Sequence, residues 1–173
     1  MTTRLFILSA AVAAMMASCG SDDSTTCECT PAARCVDQAC ECPSNFIPAQ
    51  IESNKMTSSP HPDRPGQTIS VSSFGGGSLA HMLSVVTDLS TVPVNQSLDL
   101  SKRDSFALIV LHGGEHAFTA TSGTATFTHA CDKGIGGSVS AVTLKEWGND
   151  GEVPGGCALQ SVKFSFTLGD ACP

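Results

Sequence analysis

Five residues stand out for their chemistry. His112-Gly113-Gly114-Glu115-His116 places two imidazoles four residues apart with a carboxylate between them. On a helix, residues i and i+4 share a face, so this spacing can grip a zinc ion and set a general base beside it. The two central glycines argue against that helix, because Gly is a poor helix interior. A Gly-Gly pair after an apolar run is instead a good two-residue hairpin turn. In such a hairpin His112 faces Glu115 across the strands, and His116 pairs with Leu111 on the opposite face. Two imidazoles on opposite faces do not share one metal. A metal-dependent hydrolase using His112, Glu115, His116 or His129 is kept as the alternative; His129 and His81 are the imidazoles that could join a dispersed site. Gly75-Gly76-Gly77 lacks the Gly-Lys-Ser/Thr ending of a phosphate-binding loop, and no G-x-S-x-G element occurs. Asn149-Asp150-Gly151-Glu152 offers calcium-type oxygens, but Asp-Gly after a strand is first a turn. Trp147 beside it reads as a cap on the core, with a ligand-stacking ring as the alternative. No catalytic residue, metal or cofactor is assigned, and the protein is not expected to be an enzyme.

The cysteines carry a second kind of chemistry. The chain has 9 Cys, at positions 19, 27, 29, 35, 40, 42, 131, 157 and 172. An odd number is awkward in an oxidising compartment. Setting Cys19 aside leaves Cys27, Cys29, Cys35, Cys40 and Cys42 in one short stretch and Cys131, Cys157 and Cys172 in the C-terminal half. Both subsets are odd, so if every thiol pairs, an odd number of bridges joins them. Cys157 opens a strand of about ten residues and Cys172 follows it. Such a strand spans on the order of 30 Å, whereas a disulfide needs Cα atoms within about 7 Å. In a simple meander Cys131 and Cys172 fall at the same end of the sheet. That pair is therefore favoured, which leaves Cys157 for the N-terminal cluster. Thiolate ligation of Zn or Cu(I) by the Cys-x-Cys pairs is the minor alternative. The stretch also resembles a truncated EGF-type or knottin-type module. It is too short to bury a core and needs staples to be ordered.

These groups have to be positioned by strands. From residue 67 onward the apolar pattern has period two. Thr68–Ser72 alternates, the glycines at 75–77 break the pattern, and His81–Val86 resumes it, with a short helix as the alternative. Leu98–Leu100 is a short strand. Ser105–Leu111 is apolar on both parities, so it is expected to be covered on both faces. In 123–128, Ala125 and Phe127 point inward. In 138–146 the apolar parity switches from Val139 and Ala141 to Val142 and Leu144, which predicts a β-bulge near Ala141. Val162, Phe164, Phe166 and Leu168 share one face of the last strand. No long amphipathic helix follows residue 18. The fold expected is all-β, an antiparallel sandwich or barrel over 67–173. A Pro-rich linker over 43–66 and the disulfide-rich segment 27–42 precede it.

The N-terminus sets the address. Arg4 precedes an apolar run from Leu5 to Ala17, too short to span a bilayer and shaped like a secretory signal. Met16-Ala17-Ser18-Cys19 resembles the lipobox of bacterial lipoproteins, with Met16 where Leu is usual. That resemblance implies a signal peptide at 1–18, removal before Cys19, a diacylglyceryl group on its thiol, and a polar tether over 19–26. Two acyl chains hold a soluble domain on a bilayer stably. The runs Ser122–Thr128, Gly137–Glu146 and Gly155–Phe166 are similar to the C-terminal β-domain of uncharacterised secreted bacterial lipoproteins, families without a settled activity.

The formal net charge of −7 argues against nucleic acid as a partner. The function expected is a membrane-anchored cell-envelope lipoprotein, extracytoplasmic, on the outer membrane or a periplasmic face. Its disulfide-stabilised β-domain is expected to be a binding or structural module, whose partner is an envelope protein or a small ligand. Besides the hydrolase, a lipocalin-like small-molecule carrier is the other alternative, which an enclosed apolar cavity of about 300 Å³ or more would favour.

Overall fold

The computed structural model describes residues 28–37, 39–75, 81–102, 106–113 and 116–172. The expected signal peptide, Cys19, the tether, Cys27, Glu115 and Gly76–Gly77 lie outside these residues. Among those described there is no helix.

Two short strands, β1 (Arg34–Val36) and β2 (Ala39–Glu41), pair only with each other. The remaining strands share one sheet. They are β3 (Gln50–Ser53), β4 (Thr57–Pro60), β5 (Thr68–Phe74), β6 (His81–Thr87), β7 (Ser97–Asp99) and β8 (Phe106–His112). Then follow β9 (His116–Cys131), β10 (Gly134–Gly148), β11 (Gly151–Glu152) and β12 (Ala158–Gly169). The path across the sheet is β3-β12-β10-β9-β8-β6-β5-β4, with β7 on β9 and β11 on β10.

The all-β expectation holds, with two corrections. The sheet is mixed, because β3 runs parallel to β12 with Ile51 opposite Phe166. Residues 43–66 are also not a bare linker, since they supply β3 and β4. Only Ile51 of these two strands is buried, so no apolar alternation marks them. Pro60 is tolerated because it ends the edge strand β4, where a missing N–H breaks no ladder. The stretch from His81 is a strand, not the alternative helix; β8 is buried on both parities only over Phe106–Leu108, and beyond that Ile109 and Leu111 are half-buried.

The sheet doubles over along one crease. On one side of β9, β8 pairs with residues up to Thr119 and β7 takes over from Thr124. Between them Gly123 adopts φ +105°, and a Cβ there would sit 2.6 Å from the Cα of Val142. Ala141 on β10 and Ser161 on β12 are left-handed as well, with φ 52° and 55°. Each break inserts a residue and flips the inward parity, as a bulge does. Inward residues change from Phe118 and Ala120 to Ala125 and Phe127 on β9, and from Val139 to Val142 and Leu144 on β10. The predicted bulge at Ala141 is thus one of three on adjacent strands. The sandwich-like interior is closed by Phe106, Phe127 and Phe166, whose rings meet edge to face with centroids 5.4 and 6.0 Å apart.

Candidate functional site

The histidine hairpin is built differently from expectation. The register of the two strands differs by one residue from that expectation: Leu111 pairs with Ala117 and His112 with His116. The expected pairings, His112 with Glu115 and His116 with Leu111, do not form. Directly opposed residues in an antiparallel pair project from the same face. Both imidazoles therefore share the core-facing parity, with Leu108 and Val110 on β8 and Phe118 on β9. Gly-Gly fits a two-residue turn, which gives the expected register; a shift of one residue in the pairing brings the two imidazoles to one face instead.

One strand further along the sheet, Phe74 on β5 pairs with His81 on β6, and Met82 pairs with Leu111. Phe74, His81, His112 and His116 thus form one row across four strands at the open end of the interior. The imidazoles of His81 and His112 stack with centroids 4.9 Å apart and planes 17° apart. Phe46 covers this row, 4.4 Å from His112, 5.2 Å from His81 and 5.8 Å from Phe118. The Gly113 N–H donates to His81 Nδ1 at 3.2 Å. That nitrogen holds a lone pair, and the ring hydrogen of neutral His81 is on Nε2. His112 Nδ1 is buried and has no hydrogen-bond partner among the described residues. The pKa of His112 is held below the ordinary imidazole value, first by burial and then by the positive charge of His81, His116 and Arg34.

The row is roofed by the Cys-rich segment. Cys42 is bridged to Cys157, with Cα atoms 5.4 Å apart, so one bridge joins the segment to the C-terminal half, as the parity of the cysteines requires. Cys29–Cys40 ties the segment internally, Cys131–Cys172 closes the far end of the sheet, and Cys35 is disulfide-bonded too. A buried carboxylate adds to the clamp. Glu146, 3% exposed, lies on the inward parity of β10. Its Oε1 accepts from the Ala32 N–H at 3.0 Å, and its Oε2 from the Thr30 hydroxyl at 3.0 Å and the Cys157 N–H at 2.9 Å. Charge-assisted bonds of this kind are what make a buried carboxylate tolerable. Only the inward parity of residues 142, 144 and 146 hinted at this role, and sequence reasoning missed it.

Between roof and sheet lies a cleft of about 430 Å³. Its polar lining is Arg34, Glu41, Ser44, His112 and His116. Arg34 and Glu41 face each other across β1 and β2, and no carboxylate pairs with Arg34 among the described residues.

Other candidates separate. His129 lies at the far end of β9 beside Gly136, where a Cβ would run into its ring, so it does not join His112 and His116. Among the described residues no three of the His, Cys, Asp and Glu side chains gather to hold a metal ion. Asn149 and Asp150 form the turn from β10 to β11, and Glu152 pairs with Lys145 at 2.6 Å. The chain matches no protein-family model, no curated protein and no solved structure. The cleft therefore has to be read from its own residues. It offers cationic and hydrogen-bonding groups on a fixed frame, beside an aromatic wall.

Proposed function

We propose that this protein is an extracytoplasmic binding module, held on the cell envelope by an acylated Cys19, and that the cleft beneath the Cys-rich segment is the surface it presents. The Cys42–Cys157 bridge carries the reading. It fixes the segment that makes one wall of the cleft to the sheet that makes the other. A wall held by a covalent bond and a buried carboxylate is ordered before a ligand arrives, which lowers the cost of binding. The disulfides themselves suit an oxidising compartment, and the lipobox-like Met16–Cys19 supplies the anchor. The carrier alternative is weakened by an interior filled with Phe106, Phe127 and Phe166. The hydrolase alternative is weakened by the distance of His129 from the His112–His116 pair.

The test is intact mass spectrometry of the protein purified from the membrane fraction. The expected species begins at Cys19, carries an acyl modification there and has no free thiol among its other cysteines. A soluble product with Cys19 unmodified would overturn the anchored reading.

A further inference from the structure

The cleft has a charge pattern that its own residues leave unresolved. Arg34 approaches from β1, His112 from β8 and His116 from β9, with His81 on β6 behind them. Glu41, from β2, is the acidic group among the described lining residues. It forms no ion pair with Arg34 or either imidazole among the described residues. When both lining imidazoles are protonated, the described lining residues carry a net positive charge even with Glu41 ionised, within a chain whose formal net charge is −7. Like charges held in one cleft repel, and a counter-anion placed among them relieves that repulsion. The guanidinium of Arg34 presents a fork of donors matched to carboxylate and phosphate oxygens.

We infer that the cleft is a receptor site for a small oxyanion, a carboxylate or phosphate group, held by Arg34, His112 and His116 and taken up as the surroundings acidify. The inference rests on the cleft being the binding surface and names its ligand class. Arg34 supplies a permanent charge, and the imidazoles supply charge and N–H donors once protonated. With both imidazoles neutral, Arg34 stands alone against Glu41. Each ring that takes a proton on acidification adds a positive charge and an N–H donor. The low proton affinity of His112 becomes part of the linkage: an anion that binds protonated His112 must raise that affinity by the same factor that protonation tightens anion binding. Metal binding by the same imidazoles would have the opposite pH dependence, because a metal competes with the proton for the ring nitrogen.

The test is an NMR titration of the full-length protein with inorganic phosphate, and separately with succinate, at pH 5.5 and pH 8. The ring signals of His112 and His116 are expected to move at pH 5.5, while those of His61 and His129 stay in place. Affinity is expected to fall about tenfold or more at pH 8, and by a similar factor in Arg34→Gln at pH 5.5, the loss of one charge-assisted contact. Arg34 is exposed, so its replacement does not threaten folding; His116→Gln gives a second variant, expected to flatten the pH dependence. Signals unmoved by either anion at pH 5.5, or unchanged affinity in Arg34→Gln, would overturn the inference. So would Zn²⁺ alone shifting both rings at pH 8 while phosphate does nothing at pH 5.5. An unmodified Cys19 would end the anchored reading and leave this titration unaffected, so the two can fail separately.

Discussion

The Cys-rich hairpin and the large sheet reach order by opposite means. Every described residue of β1 and β2 is exposed, and among the described residues from 28 to 42 only Ala32 is buried. The sheet buries Leu83, Val85, Leu108, Val110, Phe118, Phe127 and Phe166 essentially completely. One region is fastened by sulfur and by a few directed hydrogen bonds, the other by area removed from water. The contrast teaches what each can do. A segment without a core is free in composition, so it can place Arg34, Glu41 and Ser44 along a cleft. The sheet supplies the rigid wall opposite.

If this division is right, substitutions in the two regions should differ in kind as well as size. The largest effect is expected in the core. Phe127→Ala empties a fully buried site between Phe106 and Phe166 and should cost about 3–5 kcal/mol in urea denaturation. A loss below about 1 kcal/mol would mean the interior is not packed as described. Next comes the clamp. The double change Cys42→Ser with Cys157→Ser opens a loop of sequence separation 115 and should cost about 2–4 kcal/mol. Hydrogen exchange should then rise in 28–42 and leave the amides of β6 and β8 protected. Uniform loss of protection would make the hairpin part of the core after all.

Glu146→Gln is a smaller probe of the same clamp. It puts an amide donor where two N–H groups and a hydroxyl now point at a carboxylate, and should cost about 1–3 kcal/mol. Its exchange signature should match that of the lost bridge, confined to the roof. The smallest expected effect belongs to pH. His112 binds a proton more weakly folded than unfolded, so the unfolded chain takes up more protons as pH falls through the ordinary imidazole range. Stability therefore declines from about pH 7 towards pH 5 through this group. Added phosphate should reduce the decline, and His112→Phe should remove its part of it. Stability rising on acidification through this range in wild type but not in His112→Phe would contradict the sign.

Much of the sheet was legible. Phe164, Phe166 and Leu168 declare one face of β12, and the parity switch after Val139 declares a bulge. The disulfide Cys131–Cys172 followed from strand length and the order of a meander. The rest was hidden for physical reasons. β3 and β4 have almost no buried side chains, and their place depends on backbone pairing, which leaves no hydropathy signal. At the hairpin a single residue of register decides whether His112 meets Glu115 or His116. Two adjacent glycines favour a two-residue turn locally, and the pairing of β8 with both neighbours settles the register instead. Glu146 could not be recognised, because its partners are the backbone of Ala32 and Cys157 and a hydroxyl more than a hundred residues away in sequence.

The link between Cys42 and Cys157 also has a mechanical meaning. Tension entering from the amino end and leaving at the carboxyl end crosses from one sulfur to the other and bypasses everything from Pro43 to Gly156. Of the large sheet's strands, only β12 remains in the line of force. Pulled at its two ends, the protein would load β12 alone of these strands, and with it Phe164, Phe166 and Leu168, for as long as that one covalent shortcut stays oxidised.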